Sequence, residues 1–369
     1  MPQARNRVVQ IRDFGGPEHL QVVEAPMPMA APGEVRVRVL ASSLVYTDVV
    51  IRRHLYPQTV GLRPPFTLGY DVVGVIDQLG EGVTGFRIGD RVADMTVIGS
   101  NAAYRTLRAK DLTVVPAGVD AAEAATMILS WTTAYQLLHR LARVRRGQQV
   151  LVQGAAGAVG QALVTLGKMA GLEVWGTASG EQVPLVHELG ATAIDYQRED
   201  FTQALPGGFD IVFDGVGEQG GRRALAALRR GGLLCAYGYT SAVQGHRRLP
   251  AILGMMARLH LSGWIRGKRV RLYSINLMRA RRPTWFKGDL ALLFHLLETG
   301  AVRPRVAERL AFGQVADAHR RLEAGGLQGK LVLCPDLPEL PGGRATPETV
   351  AAQAGEALSP GWRPRRPCG

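Results

Sequence analysis

Three glycines at three-residue spacing, Gly154, Gly157 and Gly160, are the residues whose chemistry is most legible in this chain. Glycine at such spacing lets the backbone turn tightly and brings bare amides close to an anion. The run Gly154-Ala155-Ala156-Gly157-Ala158-Val159-Gly160 follows a short apolar stretch, Val150–Val152, of the kind that makes a buried parallel strand. A helical pattern comes next, with Val159, Leu163, Leu166 and Met169 able to share one face. Strand, glycine turn and helix form the context in which a helix N-terminus holds the pyrophosphate of a dinucleotide. The other use of such a turn is close packing of strand against helix.

The same logic marks other strand ends. An NAD site usually has Asp or Glu at the end of its second strand, where the carboxylate holds the ribose hydroxyls. Here that end reads Thr177-Ala178-Ser179. Ser179 leaves room for a 2′-phosphate, so NADPH is the expected cofactor. Gly215 and Gly217 follow the strand Phe209–Asp214, and Gly238 follows the strand Leu233–Ala236. All three fall at the carboxyl edge of a parallel sheet, where ligands bind. Lys330, just before the last strand, either reaches the cofactor or stands solvated.

The elements that position these residues read as follows. Arg7–Ile11 and Leu20–Glu24 are short strands joined by a Gly-Gly-Pro turn, and Glu34–Ala41 alternates as a half-buried strand. Two more strands lie within Pro64–Asp90. Trp131–Leu141 is an apolar helix between domains, ended by Gly147. Beyond the glycine loop, strands at Glu173–Gly176, Ala193–Asp195, Phe209–Asp214, Leu233–Ala236 and Val270–Ile275 alternate with helices, one of them Arg222–Leu228 with a Gly231-Gly232 stop. This alternation predicts an α/β fold with a doubly wound parallel sheet. Pro335–Gly369 lacks periodicity and reads as a mobile tail.

Against that background the glycine run, following Val-Leu-Val-Gln, resembles the AAxGxVG signature of the medium-chain dehydrogenase/reductase superfamily. It is similar in particular to the zinc-free, zeta-crystallin-like quinone oxidoreductases. GYDVVGVI followed by LGEGVTGFRIGDRV resembles the pattern of the superfamily's catalytic domain, and AFGQVADAHRRLEAGGLQGKLVL resembles its closing pattern. The resemblance covers about Val8–Leu333. It implies a Rossmann domain over 129–278 and a β-rich, barrel-like (GroES-like) catalytic domain over 1–128 with a return over 279–335, leaving 336–369 as the tail.

The resemblance also assigns roles. Zinc-dependent relatives use an early Cys, a GHE motif and a later Cys or Asp. Here those regions read Ser42–Tyr46, Gly69-Tyr70-Asp71 and Leu129-Ser130-Trp131, so no metal site is expected. Thr133 matches a residue that contacts the nicotinamide carboxamide; the bare sequence also allows it to cap a helix start. Tyr196 matches a residue near the adenosine phosphate. Many relatives hold that phosphate with a Lys where this chain has Gln182, which leaves Arg198 to replace it. Tyr46 and Tyr56 lie in the loop and helix that face the cofactor in relatives, and Tyr56 matches a proton donor of enoyl-thioester reductases. Either hydroxyl could protonate the oxygen left negative by hydride delivery.

Composition bounds the rest. The chain has 369 residues, 46% of them hydrophobic, with a net charge of +13. Without a run of about 18 apolar residues or an apolar N-terminal core, a cytoplasmic protein is expected. The three cysteines are far apart, which argues against a disulfide framework. Ser241–Gly288 holds eleven Lys/Arg and no Asp or Glu, the feature behind an alternative reading as a membrane- or RNA-associated binder. The expectation adopted is a zinc-independent NADPH-dependent oxidoreductase acting on a quinone or an α,β-unsaturated carbonyl. It is expected to be a homodimer joined through the edge strand at Val270–Ile275.

Overall fold

The computed structural model describes residues 5–237 and 249–338. Strands β1 (Arg5–Ile11) and β2 (Leu20–Pro26) form an antiparallel hairpin. In β3 (Glu34–Ser43) the alternation is realised: Val35, Val37 and Val39 are fully buried, and Arg36 points outward to Asp77 at 3.0 Å. A short loop leads from β3 into α1 (Tyr46–Arg52). Strand β4 (Phe66–Thr67) joins the hairpin. Strands β5 (Asp71–Leu79) and β7 (Tyr104–Arg108) flank β3, and β6 (Arg91–Met95) and β8 (Thr113–Val114) extend the sheet beyond β5.

A helical rod links this β-rich part to the parallel sheet. It begins with α2 (Ala121–Thr126), capped by Asp120, whose carboxylate accepts the Glu123 amide at 3.0 Å. The rod continues through a wide turn at Met127–Trp131, α3 (Thr132–Tyr135) and a second wide turn at Gln136–Ala142. It ends at Arg143 in the left-handed region (φ 54°), four residues before the expected stop at Gly147. Thr133 is therefore mid-helix and caps no helix start.

The parallel sheet has the order β11-β10-β9-β12-β13-β14. Its elements are β9 (Gln149–Gln153), α4 (Ala158–Met169), β10 (Glu173–Ala178), α5 (Val183–Glu188), β11 (Thr192–Asp195), β12 (Phe209–Asp214), α6 (Glu218–Ala227), β13 (Leu228–Ala236), α7 (Leu249–Ile265) and β14 (Arg269–Leu272). This is the doubly wound arrangement, with its reversal between β9 and β12. On α4 the buried face runs through Gly160, Leu163, Leu166 and Gly167, while Met169 is exposed. Two boundaries differ from the sequence reading. The pair Gly231-Gly232 does not stop a helix; it lies inside β13, where the pairing jumps from Phe209↔Leu228 to Ile211↔Leu233 and the extra residues bulge out. The last strand stops at Leu272, because the Ser274 hydroxyl accepts the Leu277 amide at 3.5 Å and starts α8 (Ile275–Arg281).

After α9 (Pro283–Glu298) the chain crosses back. Strands β15 (Val306–Leu310) and β16 (Lys330–Leu333), with α10 (Val315–Ala324) between them, add to the first sheet. Strand β16 pairs with the end of β3, Val332 opposite Ser43 and Leu333 opposite Ser42. The protein is thus α/β, a doubly wound parallel sheet beside a β-rich unit built from both ends of the chain. Among the described residues no helix is long and apolar enough to cross a membrane.

The glycine turn is packed as tightly as it is bent. Gly154 has φ +68° and its amide donates to Thr177 Oγ1 at 3.1 Å. A Cβ at Gly160 would lie 2.7 Å from Ala155 Cα and closer still to the Gly154 carbonyl oxygen, both rigid backbone atoms. Gly160→Ala is therefore expected to cost about 2 kcal/mol or more of stability. Chemical denaturation checks it; an unchanged midpoint would show that the loop and α4 can separate freely.

Candidate active site

The amino end of α4 opens onto a cleft of about 460 Å³ between the two sheets. One wall is the glycine loop, with Gly215 and Val216 beyond β12 and Tyr237 beyond β13; the other is Leu44–Thr47 with Gly325, Gly326 and Lys330. The cleft thus lies at the carboxyl ends of the strands, at the reversal of strand order, where this architecture binds ligands. Gly157 is the N-cap of α4, exposed, with open space at its Cβ except for the Gly154 oxygen at 3.3 Å. The first turn of α4 carries no acidic residue and has no side-chain cap. It offers free amides and a positive dipole end to an anion.

Of the residues singled out from sequence, Tyr46, Gly154, Ala156, Gly157, Ala158, Val159, Gly160, Gly215 and Lys330 line this cleft. Ala155 lies buried beneath it, its amide donating to the Thr177 carbonyl at 2.9 Å. Thr133 is buried in the rod with its hydroxyl toward Tyr273, whose own hydroxyl donates to Gln136 at 2.8 Å. Gly217, at φ +98°, caps α6 beside Asp214, which accepts its amide at 3.1 Å. Burial pushes the Asp214 carboxyl up to about 6, and those amide bonds oppose the shift. Ser179 ends the loop after β10, 3.4 Å from Gln182, and Gln182 itself lines the cleft. Arg198 is 85% exposed and 3.6 Å from Asp195, and Tyr196 is exposed beside it. Gly238 lies outside the described residues. Sequence reasoning did not single out Tyr237 or the Gly325-Gly326 pair; the position of the first next to Gly238, and the doubled glycine of the second, were the available signals.

The two tyrosines part company. Tyr46 is half-buried on the cleft wall. The Tyr56 hydroxyl bonds to that of Tyr70 at 2.8 Å, and Asn276 Nδ2 donates to both, at 2.8 and 2.6 Å. Burial pushes both of these phenols up.

Behind the cleft floor lies a charged cluster. Asp71 accepts the Ser43 amide at 2.6 Å and the Ser43 hydroxyl at 2.5 Å, and Lys330 Nζ donates to the same hydroxyl at 2.7 Å. Lys330 is 7% exposed, so it is neither solvated nor free to swing toward a ligand; its ammonium sits among Asp71 and Asp48. Burial lowers its pKa and the two carboxylates oppose that. Asp48, wholly buried, caps α1 through the Val45 amide at 3.0 Å; burial first, then the charge of Asp71, pushes its carboxyl up to about 7.

Residues 31–128 match the family described as alcohol dehydrogenase GroES-like domain, and residues 189–333 match zinc-binding dehydrogenase. A quinone oxidoreductase of Pseudomonas aeruginosa is 31% identical over 335 residues, covering 89% of this chain and 99% of the relative. The chain belongs to the medium-chain dehydrogenase/reductase superfamily. Within it the relatives are of the zinc-independent branch. A 2-haloacrylate reductase of Burkholderia is 29% identical over 336 residues, covering 88% of this chain and 98% of the relative. The solved structure of the human synaptic vesicle membrane protein VAT-1 homolog-like protein superposes with a TM-score of 0.78 at 25% identity, covering 91% and 99% of the two chains. The zinc implied by one family description does not fit this medium-chain enzyme. Asp71 is already held by Ser43 beside the fixed charge of Lys330, and Tyr70 faces Tyr56. Among the described residues no three His, Cys, Asp or Glu side chains converge on a metal position.

The cluster has a pH signature. Asp48 binds its proton more tightly folded than unfolded, so its contribution to stability is full below its ordinary value of 3.8 and is lost as pH rises through about 7. Asp48→Asn keeps the cap and removes this loss, on the order of 4 kcal/mol at most. Thermal unfolding from pH 4 to 8 is expected to show a flatter profile in the variant; parallel profiles would refute the assignment.

Proposed function

We propose that this oxidoreductase uses NADPH and reduces a quinone or an α,β-unsaturated carbonyl without zinc. The observation that carries the reading is the cleft itself, in which the bare amino end of α4 faces Tyr46 across a space open to both sheets. The glycine loop would hold the pyrophosphate, with Gly215, Val216 and Tyr237 along the remaining length. The expectation of NADPH is supported by Ser179 and Gln182, which leave the end of β10 without a carboxylate of its own. Tyr196 and Arg198 stand exposed nearby as partners for a 2′-phosphate.

When bound, the nicotinamide supplies a hydride. The protein's task is then alignment and charge. Hydride arriving at the β-carbon of an unsaturated carbonyl, or at a quinone ring, leaves an oxygen negative. The Tyr46 hydroxyl on the cleft wall would donate to that oxygen and deliver its proton. Tyr56 would act through Tyr70 and Asn276, to which its hydroxyl is bound. The names of the quinone oxidoreductase and the 2-haloacrylate reductase agree with this choice of acceptors.

NADPH oxidation is expected with quinones, enals or enoyl thioesters, with a higher kcat/KM than for NADH. Gly157→Asp should remove cofactor binding, because it sets a carboxylate where phosphate belongs, and should leave the fold intact, because Asp is a good N-cap. NADPH binding unchanged in the folded variant, or no turnover of any acceptor by the wild type, would sink the reading. The second outcome would favour a binding protein instead.

The same reading includes a homodimer. Among the described residues strand β14 is an edge of the parallel sheet, and Trp264 and Ile265 beside it are 78% and 69% exposed. Edge pairing with a second copy would cover both features. It would also bring Arg266, Lys268, Arg269 and Arg271 near their counterparts, so association should strengthen as salt screens them. Sedimentation at several salt concentrations decides it: a monomer throughout removes the pairing, and a dimer that weakens with salt removes the charge argument.

A further inference from the structure

Gln153 is the last residue of β9, directly before Gly154 and at the reversal of strand order. It is 2% exposed and forms part of the cleft wall. Its Nε2 is buried with no hydrogen-bond partner. The other buried glutamines among the described residues are satisfied. Gln136 donates to Asp289 at 2.9 Å, and Gln161, on the same cleft wall, donates to the Ala156 carbonyl at 2.7 Å.

The polar groups on either side of Gln153 are turned to the loops. On β10, the Thr177 hydroxyl accepts the Gly154 amide at 3.1 Å. On β12, Asp214 stands opposite Gln153 in the parallel pairing, and its Oδ1 accepts the amides of Val216 and Gly217 at 2.9 and 3.1 Å. These bonds shape the glycine turn and the turn beyond β12, and none of them serves the Gln153 carboxamide. A primary amide carries two donor hydrogens, and a buried donor left unmet is destabilising. At a cleft wall such a group is satisfied when a ligand brings the acceptor.

We propose that Gln153 contacts the cofactor, its Nε2 donating to an oxygen of the ribose on the nicotinamide side of the pyrophosphate. Position selects that acceptor. The amino end of α4 lies to one side of Gln153, and Gly215, Val216 and Tyr237 lie to the other. With the pyrophosphate on the α4 amides and the nicotinamide end toward Tyr237, the part that passes the end of β9 is the sugar between them. A carboxamide offers a donor and an acceptor, as the hydroxyl pair of a ribose requires. Its terminal torsion is soft, so turning Nε2 to the cleft costs little. The inference rests on the dinucleotide reading of the cleft and adds a residue to it.

The test uses the full chain, with Gln153→Met and Gln153→Leu, which remove the amide and keep much of its volume. Calorimetric titration measures binding of NADPH and of adenosine 2′,5′-bisphosphate, which lacks the nicotinamide-side ribose. NADH and AMP form a parallel pair, so the choice between cofactors does not decide the outcome. Thermal unfolding is recorded without ligand. Both variants are expected to unfold no earlier than the wild type, because the amide they lack is unsatisfied there. They should bind the dinucleotide about tenfold or more weakly, the loss of one hydrogen bond, and the adenosine fragment as the wild type does. The assignment is overturned if the dinucleotide affinity is unchanged, or if dinucleotide and fragment weaken alike. It is overturned equally if both variants are destabilised without ligand, which would mean that the amide is satisfied by water or protein already. A wild type that binds neither dinucleotide ends the cofactor reading and this assignment with it, whereas unchanged binding in the variants ends the assignment alone.

Discussion

One buried ammonium holds the two ends of the catalytic unit together. Lys330 starts β16, and Ser43 ends β3, 287 positions earlier; the bond between them closes the sheet. Asp71, on β5, completes the contact through the Ser43 hydroxyl and amide. Charges this deep are stabilising only while each has its partner, and removing one partner of such a pair costs about 3–5 kcal/mol. The position of Leu44–Thr47, and with it Tyr46, follows from this knot, because that segment leaves β3 directly from Ser43 and is fixed again by Asp48.

The opposite wall of the cleft is set by contact distance. Gly160 and Gly176 let the loop, α4 and β10 pack closely: a Cβ at Gly160 would meet the loop backbone, and one at Gly176 would meet Ala155 Cβ at 2.5 Å. That approach aims the amino end of α4 at the cleft rather than past it. A polar knot on one side and a close-packed glycine turn on the other therefore define a fixed gap. This suits a reaction whose rate comes from alignment.

Charge is distributed with the same division. The cofactor cleft has Lys330 in its wall but keeps that ammonium turned to the buried carboxylates, so the amides of α4 present the positive potential there. A second cavity, lined by Arg105, Lys110, Arg279, Lys287 and Asn276, presents it through side chains, with Asn276 donating to the Tyr56 and Tyr70 hydroxyls. The basic excess of the sequence is thus partly concentrated in a concave site, through Arg279 and Lys287, and partly spread along the exposed edge near Trp264 and Arg269.

Much was legible in the chain itself. Period-two alternation gave β3, the strand–glycine–helix context placed the loop at the start of α4, and the recurrence of strands between helices gave the doubly wound order; these depend on local spacing, which the chain states outright. Boundaries were less legible. A glycine pair reads the same whether it ends a helix or bulges a strand, and at Gly231-Gly232 the pairing of β13 with β12 decided for the bulge. Thr133 looked like a helix start because the wide turns of the rod have no signature in composition. Lys330 looked solvated because its two carboxylates, Asp71 and Asp48, lie 259 and 282 residues away along the chain. The cationic cavity draws Arg105, Lys110, Arg279 and Lys287 from opposite sides of the parallel sheet's sequence. Types and spacings along the chain determined the elements and the dinucleotide turn; which charges face each other across elements was decided only by the tertiary structure, since Coulomb energy depends on distance in space and not along the chain.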